Sequence, residues 1–451
     1  MSMNYDVIVI GGGPSGILAA IAASRLGCHT CILERNSYLG GVAITGLPWH
    51  GYANHEGEYI LRGIPIELHE LLVSKGGASE LLTCSAHGGY VSIDPHITRD
   101  TFNEVLNQAG IAIHLYTNFL DVKTQNNKIT SILCADNEGI KELKAKVFID
   151  ASGDGAVAAK AGCEFNKGDE FGFMQPVTML LRVGNFNLKE FKTYIRTNPE
   201  ECSVHAGFQA KIDIEKVLNN DQFIFIGLPE AIRKARMEGS YKSTVDRISF
   251  TVNPVPGTVT INCVRQHNID GTNNADLTKG ELIGHRQAME LFAFLRQYVP
   301  GFGESIIVCI GPQLGIRETR RFVGCSMLSG KDVLTGTICK ESVCLGQYAV
   351  DIHNETSDGI MFTPLYKPFG IPMGSLIPNI CTNLIFSGRN ISTDRTAFGA
   401  MRVIGTCMGI GQASGIIAAV AVKEECDVQE VTYSGFLKCK DLIIRRKQIE
   451  G

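Results

Sequence analysis

No segment of this chain carries a long run of one charge sign, and its 42 basic and 46 acidic side chains leave a formal net charge of only 42 − 46 = −4. That lack removes the basic field that draws a protein onto nucleic acid, so nucleic acid is not an expected partner. Long apolar runs are missing too. The longest late one, Ile416 to Val422, falls far short of the roughly 20 residues that cross a bilayer. Neither a basic n-region nor a small-residue cleavage site precedes the apolar stretch Tyr5 to Ile10. The expectation is a cytoplasmic protein with no secretory signal and no membrane span. There is no clustered C-x-x-C array for an iron–sulfur cluster, and no metal site is expected. The 15 cysteines are irregularly spaced, as free and mostly buried thiols in a reducing compartment would be. Cys28 and Cys31 make the one C-x-x-C, but they lead into a strand rather than open a helix and read as packing. Internal repeats and low-complexity segments are absent as well.

What is present is the balance of a globular α/β protein: 451 residues, 44% apolar, 20% charged, with 49 glycines, enough for two domains. Tyr5 to Ile10 reads as a buried parallel strand, and Gly11-Gly-Gly-Pro-Ser-Gly16 follows it and opens an Ala-rich helix to about Leu26. In this G-x-G-x-x-G, Gly11 permits the tight turn, Gly13 lets backbone approach a pyrophosphate, and Gly16 lets helix and strand pack closely. Pro14 and Ser15 start the helix, whose N-terminus faces the negative charge. A second strand, His29 to Leu33, ends in Glu34, where a carboxylate can accept the hydroxyls of an adenosine ribose. These residues alone leave NAD and FAD both open.

Three further segments carry a resemblance. Arg35-Asn-Ser-Tyr-Leu-Gly40-Gly41-Val42-Ala-Ile-Thr45 resembles the E-R-x-x-x-x-G-G element of FAD-dependent oxidoreductases of the fumarate-reductase and glutathione-reductase superfamily. Asn118 to Ile149 alternates as a β-meander should, and it runs on into Ala151-Ser152-Gly153-Asp154-Gly155, similar to that family's A-T/S-G-D-G element. Leu384-Ile-Phe-Ser-Gly388-Arg389-Asn-Ile-Ser392, with Arg402 and Gly405 to Gly415, is similar to one subfamily's "AGR-x-x-S … R-x-x-x-x-C-M-x-x-G-Q-A-x-G" ending. Gly315-Ile-Arg-Glu-Thr-Arg-Arg321 and Asp351-Ile-His353 match two more of its motifs, whereas Asp394-Arg395 depart from it by their charge.

The resemblance implies FAD as cofactor, and a Rossmann-like α/β FAD-binding domain made discontinuous by an inserted mixed α/β substrate domain. The expected layout is 1–164 and 316–430 for the FAD domain, 165–315 for the insertion and 431–451 for a C-terminal tail. It also implies that Gly40 and Gly41 lie against the FAD phosphates and that Val42 and Thr45 approach the isoalloxazine. Val122 would meet the adenine, and Gly388, Arg389, Gly411 and Gln412 would stand beside the flavin or its phosphates. With no second G-x-G-x-x-G for NAD(P)H, electrons come from the substrate, a free reductant or a redox partner protein.

The flavin carries the redox chemistry, so the protein need only hold substrate, move a proton and stabilise charge. His353 is the proton-transfer candidate, with a structural histidine as the plain alternative. Arg317, beside Arg320 and Arg321, is the candidate anchor for a substrate carboxylate, against a structural ion-pair network. His50 and His55 follow the G-G element, where a covalent flavin link is conceivable. The leading expectation is hydride transfer between flavin N5 and a small organic substrate. A flavin-dependent tRNA-modifying enzyme and an electron-transfer subunit stay open, as does a homo-oligomer.

Overall fold

The computed structural model describes residues 4–84, 86–202, 213–354 and 359–445. In the first strand, Asn4–Ile10, the stretch from Val7 to Ile10 is apolar on both faces because both are covered, as a parallel sheet requires. It pairs in parallel with Thr30–Leu33 on one side and with the second half of Gly139–Asp150 on the other. Ala112–His114 extends the sheet beyond Thr30–Leu33, and Leu384–Phe386 adds in parallel to Phe148–Asp150. The first half of Gly139–Asp150 instead carries an antiparallel meander with Lys128–Asp136 and Asn118–Gln125. One long strand therefore joins the parallel sheet to the meander, much as the alternation predicts.

The Pro14–Arg25 helix lies on this sheet and packs against a late helix, Ile404–Glu424, through glycines. A Cβ on Gly411 would sit 2.1 Å from the Ser15 carbonyl oxygen, and one on Gly415 2.2 Å from that of Ala19. Only glycine allows so close a backbone approach. Ile404–Glu424 is long and apolar enough, by length and composition, to cross a membrane, and its most apolar stretch is wholly buried inside the fold. The apolar character is thus longer than the run from Ile416 suggests, because small residues dilute it.

A second hydrophobic core draws its residues from Val177 to Leu314. Its antiparallel sheet runs Ile224–Gly227, Ile248–Val252, Val259–Ile261, Leu181–Gly184, Ile306–Ile310, and Asn274–Tyr298 adds Ala288, Leu291, Phe294 and Leu295. Phe165–Lys167, placed in the insertion by the sequence, pairs instead with Arg320–Phe322. Residues 431–445 are more than a tail: Tyr433–Arg445 is a helix that puts Phe436 and Ile443 into the first core. Residues 446–451 of that segment lie outside the described residues.

The two cores are pinned together by buried polar contacts. Asp94 caps the Pro95–Gln108 helix by accepting from the His96 and Ile97 N–H groups, and it also pairs with Arg182 at 2.6 Å. Asn253 donates to the carbonyls of Gly46 and Ile93. Between the cores lies a cleft of about 720 Å³.

Candidate active site

Gly11, Gly13, Pro14 and Ser15 line this cleft at the N-terminus of the first helix. Gly11 adopts φ +104°, and a Cβ there would meet the Ala151 carbonyl oxygen at 2.3 Å. Nothing lies within 4 Å of a Cβ built on Gly13, so its backbone faces open space at a helix N-terminus. Such a concave helix N-terminus can accept an anion. Gly16 does not line it; its role is packing, since a Cβ would stand 1.9 Å from the Gly11 carbonyl oxygen. Gly40 is also behind the wall, donating to the Gly12 carbonyl at 2.7 Å, whereas Gly41, Val42, Thr45, Ala151, Ser152, Gly153 and Gly388 line the cleft.

Glu34 is buried and lines the cleft with Arg35 and Asn36. One of its carboxylate oxygens accepts from the Gly12 N–H at 2.7 Å and the other from the Asn36 N–H at 2.8 Å, leaving further lone pairs for a ribose. Val122 is not part of this wall. It packs on the first core opposite Ile132, and Thr117, Asn118 and Phe119 line the cleft in its place. The cause is local: the chain turns through Tyr116 in a left-handed conformation, and the Thr117 N–H donates to the Glu34 carbonyl. Residues entering the meander pass the cleft, three to five positions earlier than expected.

The remaining expected site residues divide between the cleft lining and its support. Gly411 packs on Ser15, and Gln412 spans to the Ile64 N–H and the Arg62 carbonyl, so both serve the helix contact and lie outside the cleft lining. Arg389 lines the cleft and donates to the Gly153 carbonyl at 2.7 Å, to Asp154 at 2.6 Å and to the Ile316 carbonyl. Three of its five N–H donors thus brace the surrounding loop, and two are left for a ligand. His50 lines the cleft, whereas His55 is outside the lining, 3.1 Å from the Leu365 carbonyl. The charges of Asp394 and Arg395 are structural: Asp394 caps Arg395–Met401 and accepts from Gly330, and Arg395 approaches Glu318 and Asp169.

The three clustered arginines separate. Arg321 pairs with buried Glu318, Arg320 donates to the Asp154 carbonyl, and only Arg317 lines the cleft. There it joins Asp351, His353 and Arg402. The His353 Nε2 lies 3.4 Å from one Asp351 oxygen, and Arg402 lies 3.4 Å from the other. Gln175 fixes both, accepting from the His353 N–H at 3.2 Å and from Arg402 at 3.4 Å. Burial pushes the Asp351 carboxyl up, but His353, Arg402 and Arg317 together outweigh it and hold it well below its ordinary range. Burial, then the Arg317 cation, pushes His353 down to about 3. Burial, then Arg402 and Arg265, lowers Arg317 to about 9.

Neutral His353 therefore faces a charged Asp351, which favours Nε2–H toward the carboxylate and leaves Nδ1 as a lone-pair acceptor. That Nδ1 is buried without a partner in a residue 8% exposed. The unfolded chain binds a proton that the fold refuses, so this residue's contribution to stability is present above about pH 6.5 and is lost as pH falls toward 3.

Beside this centre stand His50, His87, Tyr348 and Phe362, all on the cleft wall. His87 also lies 3.4 Å from the Cys84 thiol. Burial raises that thiol, but the charge and hydrogen bond of His87, with backbone N–H groups, more than offset it and lower it. The exposed Cys309 and Cys325 are both shifted up by burial. Reactivity follows the thiolate, so iodoacetamide at neutral pH is expected to label Cys84 before these more exposed thiols, and His87→Ala is expected to slow it. Peptide mass spectrometry reads the order; earlier labelling of Cys309 or Cys325 would refute the pairing.

Sequence reasoning named Arg317 and His353 but not their partners. Asp351 and Arg402 stood inside quoted motifs, whereas His87 and Tyr348 carried no local signal. Among the described residues no group of His, Cys, Asp and Glu could hold a metal ion.

Over 157 residues, 34% of this chain and 38% of the other, the chain is 27% identical to digeranylgeranylglycerophospholipid reductase 2 of Methanopyrus kandleri. Over 44 residues, 10% of this chain and 9% of the other, it is 52% identical to dihydrolipoyl dehydrogenase of Rhizobium etli. The chain thus spans well under half the length of these relatives. A geranylgeranyl bacteriochlorophyll reductase-like structure from Thermoplasma acidophilum aligns with 99% of this chain and 84% of its own, at TM-score 0.49 and 14% identity. The family model described as FAD dependent oxidoreductase matches residues 6–439, nearly the whole chain, and the protein belongs to that family.

Proposed function

We propose that this oxidoreductase uses FAD to oxidise or reduce a small organic acid by hydride transfer, with the acid held at Arg317 and Arg402 and a proton moved by His353. The observation that carries the reading is the cluster of Asp351, His353, Arg317 and Arg402 at the cleft, with one buried imidazole nitrogen left unpartnered. FAD fits the rest of the cleft. Gly11, Gly13, Pro14 and Ser15 would hold its pyrophosphate, Glu34 its ribose, and Thr117 to Phe119 its adenine side, while Val42 and Thr45 would lie along its flavin end. The N-terminus of Ile404–Glu424 has no side-chain cap, and Val403, Ile404 and Cys407 line the cleft there, so its N–H groups can oppose negative charge.

When bound, FAD supplies the hydride acceptor or donor at N5. The chain's own residues do the remainder. Arg317 and Arg402 orient the carboxylate, whose charge offsets the Arg317 cation that lowers His353 in the empty site; Asp351 fixes the tautomer of His353, and His353 Nδ1 takes the substrate proton during oxidation or returns it during reduction. The test is anaerobic mixing of the FAD-loaded protein with a panel of carboxylic acids and their amides, followed by flavin bleaching. Only the acids are expected to bleach it. His353→Ala is expected to keep FAD and slow bleaching about 10²- to 10⁴-fold. Full activity in that variant, or equal bleaching by the amides, would refute the assignment.

A further inference from the structure

We propose that the acid accepted here is planar, an aromatic or conjugated carboxylate whose flat face lies on the rings of His50, His87, Tyr348 and Phe362. This inference rests on the anion site at Arg317 and Arg402 proposed above and adds the shape of the molecule attached to the carboxylate.

The four side chains form one continuous patch of rings. His50 stands 4.8 Å from His87 and 5.1 Å from Tyr348, centroid to centroid. His87 and Tyr348 are stacked at 5.9 Å with 12° between their planes, and Phe362 meets His87 edge-on at 5.4 Å. They come from three distant parts of the chain: the Trp49–Ala53 strand, the turn before Gly88–Val91, and the segment from 348 to 362. A patch assembled from so far apart, and facing a cavity, presents π faces and edges to whatever enters it.

The patch adjoins the charged centre. Asp351 bears electrostatically on both His50 and Tyr348, and Arg317 and Arg402 bear on Tyr348. A ligand with its carboxylate on the two arginines therefore has its body beside the rings. His50 is held neutral by burial and by its neighbour His87, so its ring offers an uncharged face. Offset stacking rewards a flat partner and not a puckered ring of the same volume.

The insertion's part of the lining mixes polar Ser249, Thr251 and Asn262 with apolar Ile224, Ile226 and Val264, so it neither requires nor excludes an aliphatic tail. The rings carry the planar class.

Calorimetric titration of the FAD-loaded protein with benzoate, trans-cinnamate, cyclohexanecarboxylate and benzamide tests this. Benzoate and cinnamate are expected to bind about 10-fold or more tightly than either of the other two. Tyr348→Leu is expected to erase the preference for benzoate over cyclohexanecarboxylate with FAD retained, and Arg317→Met to erase the preference for benzoate over benzamide. If Tyr348→Leu fails to fold, Phe362→Leu and the wild-type titrations decide. Equal affinity for cyclohexanecarboxylate and benzoate would overturn the planar class while sparing the anion site. Equal affinity for benzamide would overturn the anion site itself. Loss of FAD from Tyr348→Leu would assign the rings to the cofactor, and no binding of any probe to the loaded protein would overturn the proposal as well.

Discussion

Glu34→Ala is expected to fold normally and to hold FAD about 10- to 100-fold more weakly. A hydrogen bond to a charged group contributes roughly 1.5–3 kcal/mol, and a tenfold change corresponds to about 1.4 kcal/mol. The variant loses the proposed ribose acceptor together with the acceptor for the Gly12 and Asn36 N–H groups, so the phosphate loop loses its brace as well. The strands on either side keep their apolar packing, because Glu34 follows the Thr30–Leu33 strand and lies at the cleft edge. Fluorescence titration of the apoprotein with FAD gives the affinity, and circular dichroism the fold. Undiminished affinity would mean that the adenosine lies elsewhere.

Gly411→Ala is expected to do the reverse. Alanine raises helix propensity by about 1 kcal/mol over glycine, which by itself would stabilise Ile404–Glu424. The new methyl, however, would stand 2.1 Å from the Ser15 carbonyl oxygen and 2.8 Å from its Cα, atoms of a backbone that cannot swing aside as a side chain can. Overpacking of this kind costs typically 1–3 kcal/mol, and a contact this short belongs at or beyond the upper end. The net expectation is a loss of about 2 kcal/mol or more, seen as a lower melting temperature. FAD remains bound below that temperature, since Gly411 does not line the cleft. Loss of FAD with an unchanged melting temperature would return Gly411 to the cofactor site.

The contrast between these two residues shows where the sequence is readable. Glu34 lies a fixed step from the glycine turn, and strand, turn, helix and strand are contiguous, so local geometry suffices to place it. The meander was legible for the same reason: alternation is a local signal, and its three strands fall at Asn118–Gln125, Lys128–Asp136 and Gly139–Asp150. Gly411 and Gln412 looked like cofactor residues because they share a motif with residues that do reach the cleft. On a helix, however, neighbours in a motif point in different directions, and the two turn toward Ser15 and Ile64. The neighbours of Arg317 and His353 were hidden for another reason. His87 and Tyr348 meet only through tertiary packing, and no spacing along the chain announces a contact between residues 87 and 348. Val122 failed by a third route, since its placement depends on a single left-handed turn at Tyr116, which a non-glycine residue seldom takes.

The last strand of the parallel sheet, Leu384–Phe386, lies beside Phe148–Asp150, and 384 − 148 = 236 residues separate the first paired positions. At about 5–20 residues per second, ribosomal synthesis needs roughly 12–47 s to deliver one partner after the other. During that interval the nascent chain carries an open, apolar strand edge at Phe148 and Ile149, and the helix Pro14–Arg25 lacks the helix that covers it. Loop closure over such a distance also places this pairing late in refolding. Folding yield is therefore expected to depend on how well that waiting edge is shielded from other chains.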